Sequence, residues 1–155
     1  MRKRGYLFLF LVIALAGFIV FTSTNSGASH SQLGGRTIEW VNRVIFGGSL
    51  SEGEKSSIVG VAVKLFGHFS LFLLDGLFLF LFLRETRLKR VQKLGILFGF
   101  GLFLSIVGEV VQLFSDGRNG NVFDVMIDYS GFLLPFLLTC LMDKRKRLFG
   151  LTEND

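Results

Sequence analysis

Four long apolar runs, Gly5–Phe21, Val59–Leu83, Leu94–Phe114 and Val122–Met142, dominate this chain and are too long and too apolar for the core of a small water-soluble domain. Inside a bilayer no water is present to satisfy backbone N–H and C=O groups, so such runs must close their hydrogen bonds internally, as helices. The predicted architecture is an all-α membrane protein with four transmembrane helices in one domain over residues 1–155. The first run is 17 residues long, near the lower limit for a crossing. Its "MRKR" start and the small residues after Phe21 also suit a signal peptide, but the run exceeds most signal cores and is expected to be a retained span.

Charge orients the spans. The net charge is +5, yet the cations sit in short clusters beside apolar runs: "MRKR", then Arg84, Arg87, Lys89, Arg90 and Lys93, then "DKRKR" after Met142. Such clusters orient membrane spans and do not form one binding face, so no nucleic acid partner is expected. Short basic segments remain cytoplasmic. Both termini are therefore expected in the cytoplasm of a bacterial cell, in a multi-pass protein of the cytoplasmic membrane, leaving Thr22–Ile58 and Ser115–Asn121 outside.

The long outer segment begins as a Ser/Thr/Gly/Asn-rich loop. In "RTIEWVNRVI", Ile38, Val41, Val44 and Ile45 recur at helical spacing opposite Arg36, Glu39, Asn42 and Arg43, which predicts an interfacial helix with Trp40 at headgroup level. Ser51 and Glu54 then have capping-box spacing ahead of the second span. Gly95 and Gly99 have the GxxxG spacing of close helix packing. Cys140 is the only cysteine, so the chain cannot form an internal disulfide, and its expected role is packing near the end of the last span.

The polar residues within the spans carry the functional signal, because each ionisable side chain in hydrocarbon costs a few kcal/mol unless it meets protein, water or an opposite charge. Counting about twenty residues from each cytoplasmic boundary at roughly 1.5 Å per residue places Lys64, Gln112 and Asp124 at the outer edge of the hydrocarbon. One turn deeper come His68, Glu109 and Asp128. Lys64 and His68, Glu109 and Gln112, and Asp124 and Asp128 are three or four residues apart, so each pair shares a helix face. Arg118 lies in the turn "SDGRNGN" above them, where Asn119 or Asn121 can cap the last helix. Asp75 falls about two turns below His68 on the same face, where it either extends the site or lies buried and protonated. The competing reading makes the cluster ion pairs and hydrogen bonds that join helices.

The set Lys64-x3-His68-Phe69, Glu109-x2-Gln112-x-Phe114, Gly117-Arg118 and Asp124-Val125-x2-Asp128-x2-Gly131, with "TSTNSGASHS" outside the first span, resembles the VanZ-like family of bacterial membrane proteins. The resemblance runs from the first span to the last and implies a four-helix membrane protein of a group named for resistance to the glycopeptide teicoplanin. Asp128 stands where the family pattern usually has Asn, and Asp75 where it usually has an apolar residue.

Three functions fit these residues. The leading one is a non-enzymatic protein whose outward site binds a lipid headgroup, a lipid-linked cell-wall precursor or an amphiphilic glycopeptide. Lys64 and Arg118 would hold anionic groups there, while Gln112, Asp124 and Asp128 would accept hydrogen bonds. The second is an enzyme acting on such a lipid, with Glu109 or His68 as general base and Asp124 and Asp128 as weak metal candidates. The third is a proton or ion pathway, which would need several copies because the polar residues stop near mid-membrane. No Ser or Cys nucleophile has a motif, HExxH is absent, and no cofactor is expected.

Overall fold

The computed structural model describes residues 3–24, 35–36, 39–51, 53, 60–114 and 122–142, with the backbone alone at 60–64 and 142. Four long helices form: α1 (Lys3–Thr24), α2 (Gly60–Glu85), α3 (Arg90–Leu113) and α4 (Val122–Met142). All are long and apolar enough to cross a membrane, and the described residues contain no strand. Their bounds follow the apolar runs, with α1 and α3 starting a few residues earlier than expected. The charged ends can join a helix because their stems lie along apolar surface while the heads leave it.

Helices consecutive in the chain run in opposite directions, so α1 lies parallel to α3 and α2 to α4. Phe8 near the start of α1 stacks on Phe78 near the end of α2, with ring centroids 6.4 Å apart. Gly108 near the end of α3 lies beside Ser23 at the end of α1, and Gly131 in α4 lies against the Phe69 carbonyl of α2. The outer faces are apolar too: Phe10, Phe21, Phe66, Phe103 and Leu141 are exposed, as suits contact with acyl chains.

With lipid as apolar as the interior, the helices are held by close packing more than by hydrophobic burial. A Cβ on Gly76 would overlap the Phe132 carbonyl, and one on Gly131 would come 2.8 Å from the Phe69 carbonyl oxygen. A Cβ on Gly101 would overlap the Phe132 ring. These three glycines let α2, α3 and α4 meet. Gly95 and Gly99 do not: both are exposed and meet nothing within 4 Å, so the expected packing role of that GxxxG pair is overturned. Towards the α1 start, Phe136 holds Phe80 and Phe98 edge-on at 6.0 and 5.8 Å. Cys140 is half-buried and packs against this core, as expected of it. Pro135, within α4, withdraws one backbone donor, and the Thr139 hydroxyl donates to the Pro135 carbonyl at 2.8 Å.

Residues 39–45 are helical and end at Gly47 and Gly48, whose φ of 61° and 81° suit glycine. Trp40, Val44 and Ile45 are exposed, whereas Asn42 is buried. Asn42 turns inward because it closes the following turn: its carbonyl accepts from the Phe46 and Gly48 N–H groups, and its side-chain oxygen accepts from Leu50 N–H at 3.3 Å. The Ser51–Glu54 capping box lies partly outside the described residues. Lys93 differs from the solvated cation expected in a basic loop: it is buried in the first turn of α3, because the helix begins at Arg90.

Candidate functional site

Three helices bring their polar faces together at one end of the bundle. His68 comes from α2, Glu109 and Gln112 from α3, and Asp124 and Asp128 from α4, each set by the three- or four-residue spacing that repeats a helix face. His68 Nδ1 lies 3.6 Å from Asp128 Oδ2, within ion-pair reach and beyond a good hydrogen bond. Asp128 is buried and the His68 side chain is 16% exposed, so the imidazole is the member of the pair that reaches the opening. Gln112, fully buried, donates from Nε2 to Glu109 Oε1 at 2.9 Å, fixing that carboxyl along the α3 face.

His68, Glu109, Asp124 and Asp128, flanked by Leu65 and Ile127, line a shallow recess that encloses about 10 Å³. Asp124 lies in the first turn of α4, beside the positive end of the helix dipole. Three carboxyl groups and one imidazole suit hydroxyl, amide or ammonium groups, all of which donate hydrogen bonds. An enclosed volume of that size admits about one hydroxyl, amide or ammonium group, so the recess takes the tip of a headgroup or sugar and not a whole glycopeptide.

The structure therefore joins four of the expected residues around one opening, with Gln112 behind Glu109. Arg118 and the Asn caps lie outside the described residues, as does the side chain of Lys64, whose backbone is in α2 one turn from His68. Among the described residues no three His, Cys, Asp or Glu side chains are grouped to hold a metal ion, which leaves the weak Asp124/Asp128 metal candidate without geometric support.

Two buried hydroxyls were not legible as part of this region. Ser23 and Ser105 are fully buried, and their hydroxyls donate to the Ile19 and Gly101 carbonyls. Ser105 precedes Glu109 by four residues and so extends its face inward; that spacing was the available signal. Asp75 lies inside the bundle with no exposed surface and does not line the recess.

Neither the curated proteins nor the solved structures yield a significant match. The family model described as VanZ/LLP1 matches residues 8–143, from within α1 to just past α4, and covers every residue of the recess. With the match spanning nearly the whole chain and all four long apolar helices, the chain belongs to the VanZ/LLP1 family.

Proposed function

We propose that this protein is a non-enzymatic membrane protein whose recess faces outward and binds the polar headgroup of an outer-leaflet lipid or lipid-linked wall precursor. The observation that carries this reading is the convergence of His68, Glu109, Asp124 and Asp128 from three helices around one small opening. Ionisable groups so placed in a membrane bundle mark a binding site more readily than simple packing. The carboxylates accept from sugar hydroxyls, amides or an ammonium group, and Lys64 and Arg118 in this reading hold the accompanying phosphate. Trp40, Val44 and Ile45, exposed on one short helix, anchor the outer segment at headgroup level. Any protection against teicoplanin follows from occupancy of the lipid, since the recess is too small for the glycopeptide itself.

A second reading rests on the His68–Asp128 pair. A carboxylate beside an imidazole nitrogen orients a general base, which would make the protein a lipid-directed enzyme.

The test is teicoplanin and vancomycin susceptibility of a host expressing wild type, Arg118→Ala or Glu109→Gln, with membrane abundance measured alongside. Teicoplanin-selective protection that equally abundant variants lose supports the binding site. Protection retained by both variants at equal abundance would overturn it, and a chemically altered lipid recovered only with wild type would favour the enzyme.

A further inference from the structure

Asp75 is the buried ionisable group that the recess does not use. It has no exposed surface, and neither carboxyl oxygen has a hydrogen-bond partner among the described residues. It shares its α2 face with His68, Phe72 and Leu79. Its neighbour Gly76 lies against the Phe132 backbone, and Phe132 in turn fills the space at Gly101, so Asp75 sits at the level of Gly101 to Ser105 of α3.

Apart from the exposed Tyr129 hydroxyl, which donates to the Phe98 carbonyl at 3.4 Å, no other titratable side chain of the described residues lies at that level. The sequence has none between Tyr6 and Thr24 in α1, between Lys93 and Glu109 in α3, or between Tyr129 and Cys140 in α4. The nearest along the axis are His68 on α2, Glu109 on α3 and Asp128 on α4, each on the recess side, His68 about 10 Å away by helical rise. From α1 comes only the Ser23 hydroxyl. A carboxylate buried without a partner is far more costly than the neutral acid, so this packing accommodates Asp75 with its proton on.

The two directions away from Asp75 are unlike. Towards the basic end, Leu79, Phe80, Leu83 and Leu97 are all buried and form an apolar layer between Asp75 and the buried Lys93, one turn beyond Leu97 on α3. Towards the recess, Phe72 alone separates Asp75 from His68 on the α2 face, and Ser105 and Glu109 form a polar step on α3. Phe72 also lies beside Gly108, where a Cβ would stand 4.0 Å from the ring, at ordinary contact distance.

We propose that Asp75 is a mid-membrane proton-binding site that exchanges its proton with the recess past Phe72 and is closed on the opposite side. On release the proton passes to the His68 imidazole or to water in the recess, and the carboxylate left behind gains a water partner as Phe72 moves aside. The site is a dead end within one chain, so it reports the proton activity of the recess side and does not conduct. It holds whichever headgroup the recess takes.

Carbodiimides, which react with protonated carboxyl groups, test this on the full chain in lipid nanodiscs, with adducts located by mass spectrometry. The membrane-soluble dicyclohexylcarbodiimide is expected to modify Asp75 in wild type, with a rate that drops roughly tenfold per pH unit above the group's titration point. Asp75→Asn removes that adduct. A water-soluble carbodiimide is expected to reach Asp75 several-fold faster in Phe72→Ala, and to a lesser degree in Phe72→Leu, with thermal melting confirming that each variant is folded. A folded wild type unmodified at Asp75 at every pH overturns the proposal, as does a pH-independent rate. Phe72 variants that label no faster than wild type, or Leu79→Ala opening the site equally, also overturn it.

Discussion

His68 Nδ1 and Asp128 Oδ2 meet at 3.6 Å across the α2–α4 interface, with the carboxylate buried and the imidazole at the opening. The pair ties the wall of the recess to the packing below it. A double-mutant cycle with His68→Ala and Asp128→Asn is expected to give a coupling of about 0.5–1.5 kcal/mol by reversible unfolding in detergent. Additive effects would show that the two side chains act separately.

Glycine substitutions separate the two small-residue pairs. Gly76→Ala and Gly131→Ala each drive a methyl group into a facing backbone carbonyl and are expected to cost about 1–3 kcal/mol or prevent folding. Gly95→Ala and Gly99→Ala meet open space and should leave stability unchanged or slightly raised. Melting temperature and membrane abundance read both sets, and equal sensitivity would contradict the packing.

Gln112→Leu deletes the donor to Glu109 and leaves a buried carboxyl with one hydrogen bond fewer. A loss of about 1.5–3 kcal/mol is expected, since the acceptor carries charge when ionised. Gln112→Glu should be at least as damaging, because it sets a second carboxyl where an amide donated. The measurement is unfolding in detergent at neutral pH.

Chelators should leave the melting temperature unchanged, because the described carboxylates and imidazole are not grouped to hold a metal ion. A shift on adding a divalent cation, present in wild type and lost in Asp124→Ala and Asp128→Ala, would restore the metal-dependent enzyme.

Orientation is checked by cysteine accessibility in a Cys140→Ser background. His30→Cys should react with an impermeant reagent from outside, and Leu88→Cys only after permeabilisation. The opposite pattern would move the recess to the cytoplasmic leaflet.

The spans were legible because charged residues bracket them, as Arg84 and Arg90 do. The recess was legible because His68, Glu109, Asp124 and Asp128 are costly in lipid and recur at helical spacing, which fixes depth and face together. The packing glycines were not. Both the lipid side and the interior of each helix are apolar, so no amphipathic signal tells one face from the other. Gly95 and Gly99 share a face as their spacing says, but that face looks outward; Gly101 and Ser105 have the same four-residue spacing and look inward. The burial of Lys93 was not legible either, because it follows from the helix start at Arg90, which carries that cation inside.

The paired contacts of Gly76 with Phe132 and Gly131 with Phe69 prevent α2 and α4 from sliding past each other without steric overlap. Those helices carry His68, Asp124 and Asp128 in fixed register, while α3 carries Glu109 opposite and docks on α4 where Gly101 meets the Phe132 ring. The width of the recess mouth is therefore gauged from the bundle interior: three missing side chains, at 76, 101 and 131, set how closely its walls approach.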